Sequence, residues 1–184
     1  MKNLRLAFVL LGLTLRAGAL SAAPSVVLAE AGDGMFHIEG RFAVKASSRA
    51  VWRVLSDYDR IGEFISSVDS SKLKERHPDY VLVEQTGHSG IWFTHRHFEV
   101  LLKVRETVER KIEFEDVKKT SFKFYKGSWQ IESEGEITKV IYKLEVEKPP
   151  RIPLFISRSL VRQNIAKLLS ETAAEINREY GHEE

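Results

Sequence analysis

Cysteine is missing from this 184-residue chain, which excludes disulfides, thiolate metal sites and thiol catalysis. Proline and glycine are sparse, with 5 and 11 residues, so no collagen-like or low-complexity segment is present. Neither sign of charge dominates. The 28 basic and 26 acidic residues leave a formal +2. Losing residues 1–23 would remove Lys2, Arg5 and Arg16 and no acid, turning 28 basic residues into 25 against 26 acidic. Nucleic-acid binding needs a concentrated positive face and finds none here. No Gly-rich phosphate loop, G-x-S-x-G elbow or H-E-x-x-H helix occurs, and no spacing of Ser, His and Asp singles out a triad. No cofactor is expected.

There is also no apolar run of bilayer-spanning length, which takes about 20 residues. Leu4 to Leu15 is apolar but short, with Lys2 and Arg5 before it and Ala17, Gly18, Ala19, Ser21, Ala22 and Ala23 after it. A basic start, a short apolar centre and small residues make a secretory signal peptide. The expected segment is 1–23, with a cut after Ala23 or as late as Ala29, followed by a flexible stretch over 24–35 and one domain over 36–180. Export, periplasmic or extracellular, is the expectation; an uncleaved N-terminal membrane anchor is the alternative.

What remains is rich in periodic segments. Phe36 to Val44 alternates as a half-buried strand. Ser47 is a helix N-cap, and Val51, Trp52, Val54, Leu55 and Tyr58 follow at helical spacing. Asp57 or Asp59 can cap a second short helix through Phe64. The period then returns to two: Lys72–Arg76, Tyr80–Thr86, a hairpin turn at Gly87-His88-Ser89-Gly90, and a long strand over Trp92–Glu106. In that strand the face of Trp92, Thr94, Arg96, Phe98, Val100, Leu102 and Val104 is the more apolar and is assigned inward. Lys111–Val117, Phe122–Glu132 and Lys139–Glu147 continue the pattern. Gly127 marks a bulge or a close backbone approach. Pro149-Pro150 ends the sheet, and Ile156, Leu160, Ile165, Leu168, Leu169, Thr172 and Ile176 stripe one long final helix.

This order, strand, two short helices, strands, long helix, predicts an α+β fold. About seven antiparallel strands curve around the C-terminal helix, and an incompletely filled space between them is a ligand cavity. The segments Ala50-Val51-Trp52-Arg53-Val54-Leu55-Ser56-Asp57-Tyr58-Asp59-Arg60, Val83-Glu84-Gln85-Thr86-Gly87 and Phe122-Lys123-Phe124-Tyr125-Lys126-Gly127-Ser128-Trp129 resemble the START-like (helix-grip) superfamily, in its polyketide cyclase/dehydrase and coenzyme-Q-binding branch. The resemblance covers about residues 36–178 and implies a lipid, quinone or polyketide held under the last helix.

The candidate ligand contacts are Gln85, Trp92, Arg96, Phe98, Phe114, Tyr125, Trp129 and Tyr142 from the sheet and Leu160, Ile165 and Leu168 from the helix. A few polar tips among apolar walls is what a small-molecule site requires. Arg96 cannot lose its charge and needs a ligand anion or carbonyl, or an internal partner such as Glu84 or Asp116. His95, His97 and Glu99 share one strand face at metal-ligand spacing, but that face is assigned outward, and no metal site is expected. Arg151, Leu154, Phe155 and Arg158 offer a transient membrane-surface contact. The expected activity is binding and carriage of a hydrophobic small molecule, without catalysis. A cyclase/dehydratase enzyme is the alternative, and an interaction module with a filled core the second.

Overall fold

The computed structural model describes residues 23–30, 34–91, 94–147 and 154–180, by backbone alone at 30, 89–91, 94–96 and 154–156. The elements run β1 (Ser25–Glu30), β2 (Met35–Val44), α1 (Ser48–Ser56), a 3-10 turn (Tyr58–Arg60), α2 (Ile61–Phe64), β3 (Val68–Arg76), β4 (Val81–Ile91), β5 (Thr94–Thr107), β6 (Lys111–Asp116), β7 (Tyr125–Glu134), β8 (Ile137–Glu147) and α3 (Leu154–Tyr180). The strands make one antiparallel sheet in the order β1-β2-β8-β7-β6-β5-β4-β3. Helix α3 lies against β2 and β1 and touches α1. The arrangement is the expected α+β helix grip, with eight strands where about seven were expected.

The additional strand is β1. Residues 24–35 are not simply a flexible lead: Ser25 to Glu30 pair with Arg41 to Phe36, and Val26 and Leu28 pack on the core. The alternation Val26, Leu28 against Val27, Ala29 is too brief to stand out beside a signal-like segment. Its stability comes from β2.

Ser47 caps α1, its hydroxyl accepting from the Ala50 N–H at 3.2 Å. Val51, Val54 and Leu55 are buried from that helix. The expected aspartate caps do not form. Asp57 makes no side-chain capping bond, and Asp59 instead accepts from the Leu73 N–H of β3 at 3.0 Å. Asp59 therefore joins the helical segment to the sheet edge.

Gly87 to Gly90 is not a turn. The β4–β5 ladder continues unbroken through Gly87↔Phe98 to Ile91↔Thr94. Glycine is needed at 87 for space: a Cβ there would collide with the Ser67 carbonyl and with the Phe98 ring. The strand expected over Trp92–Glu106 is observed as Thr94–Thr107. Gly127 is likewise a close approach without a bulge, since the β7–β8 register is continuous. The strand expected over Phe122–Glu132 is observed as Tyr125–Glu134, so Phe122 and Phe124 precede it.

The core is continuous. Phe36, Val51, Val83, Val100, Val104, Val140, Leu169 and Ile176 are almost wholly buried, each such side chain contributing about 1.5–3 kcal/mol of transfer free energy. Along α3 the stripe divides the work. Leu169, Ala173 and Ile176 are buried in the core, while Leu160, Val161, Ile165 and Leu168 face an unfilled space.

Candidate functional site

Between α3 and the concave sheet face lies a cavity of about 810 Å³. That volume sits within the usual range for small-molecule sites and rules out the filled-core alternative. Its inner wall is aromatic. Phe98, Phe122, Tyr125, Phe114, Tyr142 and Trp129 form an unbroken series of ring contacts with centroid separations from 4.4 to 6.2 Å. Strand alternation puts Phe114 on β6, Tyr125 and Trp129 on β7 and Tyr142 on β8 on the same sheet face.

Tyr125 and Tyr142 share a side-chain hydrogen bond inside this wall. Burial pushes both phenols up, Tyr142 well above its ordinary value. Raised from an ordinary value of about 10, they are neutral hydrogen-bonding groups at physiological pH. Tyr58 also lines the cavity and is buried. Its hydroxyl donates to Glu106 at 2.5 Å, and burial first, then that carboxylate, raises its pKa.

Of the candidate contacts, Gln85, Phe98, Phe114, Tyr125, Trp129, Tyr142, Leu160, Ile165 and Leu168 line the cavity. The Gln85 amide already donates to Ser71 at 3.1 Å. Trp92 and the Arg96 side chain lie outside the described residues; the Arg96 backbone pairs with Ser89. Neither partner weighed for Arg96 is idle. Glu84 accepts from Lys74 at 3.3 Å. Buried Asp116 accepts from the backbone N–H groups of Leu101, Lys118 and Lys119 at 3.0–3.1 Å.

Residues that escaped the sequence reading cluster at the mouth. Ser66, Ser67 and Val68 after α2, Thr120, Ser121 and Phe122 after β6, and Asn164, Lys167 and Glu171 on α3 all border the cavity. No local period marks them, because only tertiary packing brings them together. His88 is not remote from His97 as a turn residue would be. The two are directly opposed on β4 and β5, and Asp69 lies 2.8 Å from His88 Nδ1 and 3.9 Å from His97 Nδ1. Among the described residues no group of three such side chains is arranged to hold a metal.

One side of the mouth is held by ions. Arg60 reaches Glu175 at 3.1 Å and Glu179 at 2.8 Å on α3, and Glu63 at 3.1 Å on α2. The Glu171 carboxylate accepts from the Ser66 N–H at 3.1 Å. The hydrogen bond from Arg178 holds the Glu175 carboxyl below its ordinary value, against its own burial. The segment from Arg60 to Ser66, whose Ile61, Phe64 and Ile65 border the cavity, is thereby fastened to the helix that roofs it.

The fold is shared with solved structures of low sequence identity. An aromatase/cyclase, Zhui, from Streptomyces sp. R1128 is 17% identical, with 78% of this chain and 94% of that one covered at a TM-score of 0.65. A STAR-related lipid transfer protein from Xanthomonas axonopodis is 15% identical, with 83% and 98% covered at 0.63. A START superfamily protein from Mycobacterium smegmatis is 14% identical, with 77% and 97% covered at 0.66. At such identities the likeness establishes the fold. No curated protein matches the sequence. The family model described as polyketide cyclase / dehydrase and lipid transport matches residues 44–170, most of the chain, and the protein belongs to that family.

Proposed function

We propose that this protein binds a hydrophobic small molecule or lipid between the sheet and α3 and carries it without transforming it. The observation that carries this reading is the cavity, large enough for a ligand and walled by a continuous aromatic series with two neutral phenols inside it. Apolar walls supply affinity, and the tyrosine hydroxyls orient an oxygen on the ligand. Arg96 and Trp92 belong to this proposal as further contacts, Arg96 orienting a polar end. A cyclase/dehydratase is the competing reading, favoured by the same tyrosines as hydrogen-bond donors to a substrate carbonyl. A general base for that reading would come from outside the aromatic wall, where His88, His97, Glu147 and Glu171 border the cavity.

Export belongs to the proposal too, on the signal-like pattern of residues 1–23. A cut after Ala23 leaves β1 whole, whereas a cut after Ala29 would strip the strand that packs Val26 and Leu28 against the core. Transient contact with a membrane surface around Arg151, Leu154, Phe155 and Arg158 is part of the same reading.

The test is native mass spectrometry of protein purified from its own host, with extraction and identification of what accompanies it, followed by titration of the emptied protein with anilinonaphthalene sulfonate. A hydrophobic molecule in stoichiometric amount, displaced by the probe, is expected. Bare protein that also fails to bind the probe saturably would dispose of the carrier reading.

A further inference from the structure

Four large apolar side chains are prominently exposed among the described residues: Val27, Val108, Val117 and Phe124. Val27 and Val108 stand singly on β1 and in the β5–β6 connection, as scattered surface residues commonly do. Val117 and Phe124 differ. They flank a single loop, 117–124, each two residues beyond the last β6–β7 ladder pair, Glu115↔Lys126. Between them lie Lys118, Lys119 and Lys123, and the loop has no acid.

The loop is held rigidly enough to present these residues. Asp116 accepts from the N–H groups of Lys118 and Lys119. Ser121 Oγ accepts from the Glu99 N–H at 2.8 Å, and Glu147 accepts from the Lys123 N–H at 2.6 Å. Lys119 adopts a φ of 55°, a conformation that persists in a non-glycine residue only when its surroundings enforce it. Lys118 pairs with Glu99; Lys119 and Lys123 have no ion pair among the described residues and are exposed. The inner side of the same loop, Thr120, Ser121 and Phe122, borders the cavity mouth.

We infer that loop 117–124 is a docking element for an anionic lipid bilayer, with Phe124 and Val117 entering the interface and Lys119 and Lys123 meeting lipid phosphates. Exposed apolar residues interleaved with unpaired cations match an anionic lipid surface in both of its properties. Placement at the rim of an apolar cavity gives the contact a purpose, because a hydrophobic ligand then passes between bilayer and cavity with little exposure to water. The Glu147 N–H contacts the Phe124 carbonyl at 3.4 Å, so the loop adjoins the C-terminal end of β8.

This inference rests on the carrier reading, and the experiment separates the two. The full-length mature protein is sedimented with vesicles of phosphatidylcholine alone and of phosphatidylcholine doped with phosphatidylglycerol, while anilinonaphthalene sulfonate titration reports the cavity without lipid. Binding to the doped vesicles only, reversed by salt, is expected. Phe124→Asp and the pair Lys119→Glu/Lys123→Glu should each weaken vesicle affinity about tenfold, with probe binding and circular dichroism unchanged. Equal binding to both vesicle types, unaltered affinity in the variants, or no vesicle binding by protein that still takes up the probe would overturn the docking assignment and leave the carrier reading standing. The last outcome would point to a protein partner for the loop. Failure to bind the probe would count against the carrier reading itself.

Discussion

The Phe114 ring lies across Gly127 on the neighbouring strand, where any Cβ would strike both the ring and the backbone carbonyl of Lys143. The ring could swing away; the carbonyl belongs to the sheet and cannot. Gly127→Ala should therefore push β7 from β8 and displace a ring that touches Tyr125 and Tyr142. Overpacking of this kind costs about 1–3 kcal/mol. Urea denaturation should show the loss, with probe affinity falling beside it; a variant as stable as the parent would mean that the sheet yields at the Lys143 carbonyl.

Alkaline stability follows from the phenols. Tyr58, Tyr125 and Tyr142 all have raised pKa values, burial being the largest cause in each. In the unfolded chain they ionise near about 10. Above that pH the unfolded state releases protons that the folded state retains, so stability falls as pH rises. Thermal melts should hold steady up to about pH 9 and then decline. In Tyr142→Phe the decline should be shallower, although its stability at neutral pH drops by about 1 kcal/mol with the lost hydrogen bond. Parallel curves for the two proteins would remove Tyr142 as a contributor.

The alternation in Val100, Leu102 and Val104 and the stripe through Ile165, Leu169 and Ile176 were legible in the sequence because one face of each element is buried and the other is not. Those patterns point to the fold class and to part of the cavity lining, from Phe98 and Phe114 on the sheet to Ile165 and Leu168 on the helix. Gly87 was misread because glycine serves equally in a turn or under a ring, and only the cross-strand position of Phe98 decides between them. Asp59 was misread because its partner, the Leu73 N–H, lies on another element. The mouth was illegible for the same reason: Ser66, Thr120 and Glu171 come from three separate stretches and share no period.

The phenol pair makes a prediction about ligand chemistry. Tyr125→Phe leaves the aromatic wall intact and takes a hydroxyl from inside the cavity. A ligand that presents an oxygen to it should bind about five- to tenfold more weakly, as the loss of one hydrogen bond dictates. A pure hydrocarbon of the same shape should bind as before. Isothermal titration with a naphthol and with naphthalene makes the comparison; equal losses for both would show that the substitution altered shape and not polarity.

Entry to the cavity is tied to Arg60, which bridges α2 to Glu175 and Glu179 of α3. Arg60→Gln keeps some of the polar contacts but removes the charge that joins the two elements. The segment ending in Ser66 should then separate from α3 more often, and a bound probe should dissociate several-fold faster, with a smaller change in its association rate. High salt should quicken release from the parent protein and have less effect on the variant. Acid should act through the partner. The folded-state pKa of Glu175 is depressed, chiefly by the hydrogen bond from Arg178 and to a lesser degree by the charge of Arg60, so its contribution is complete above the unfolded value, about 4.3, and is lost as pH falls through the lower folded value. Stopped-flow release should accelerate in that acidic window in the parent protein and change less in Arg60→Gln. If the two proteins release probe at one rate in every condition, the ion cluster is a surface ornament and the cavity opens somewhere else.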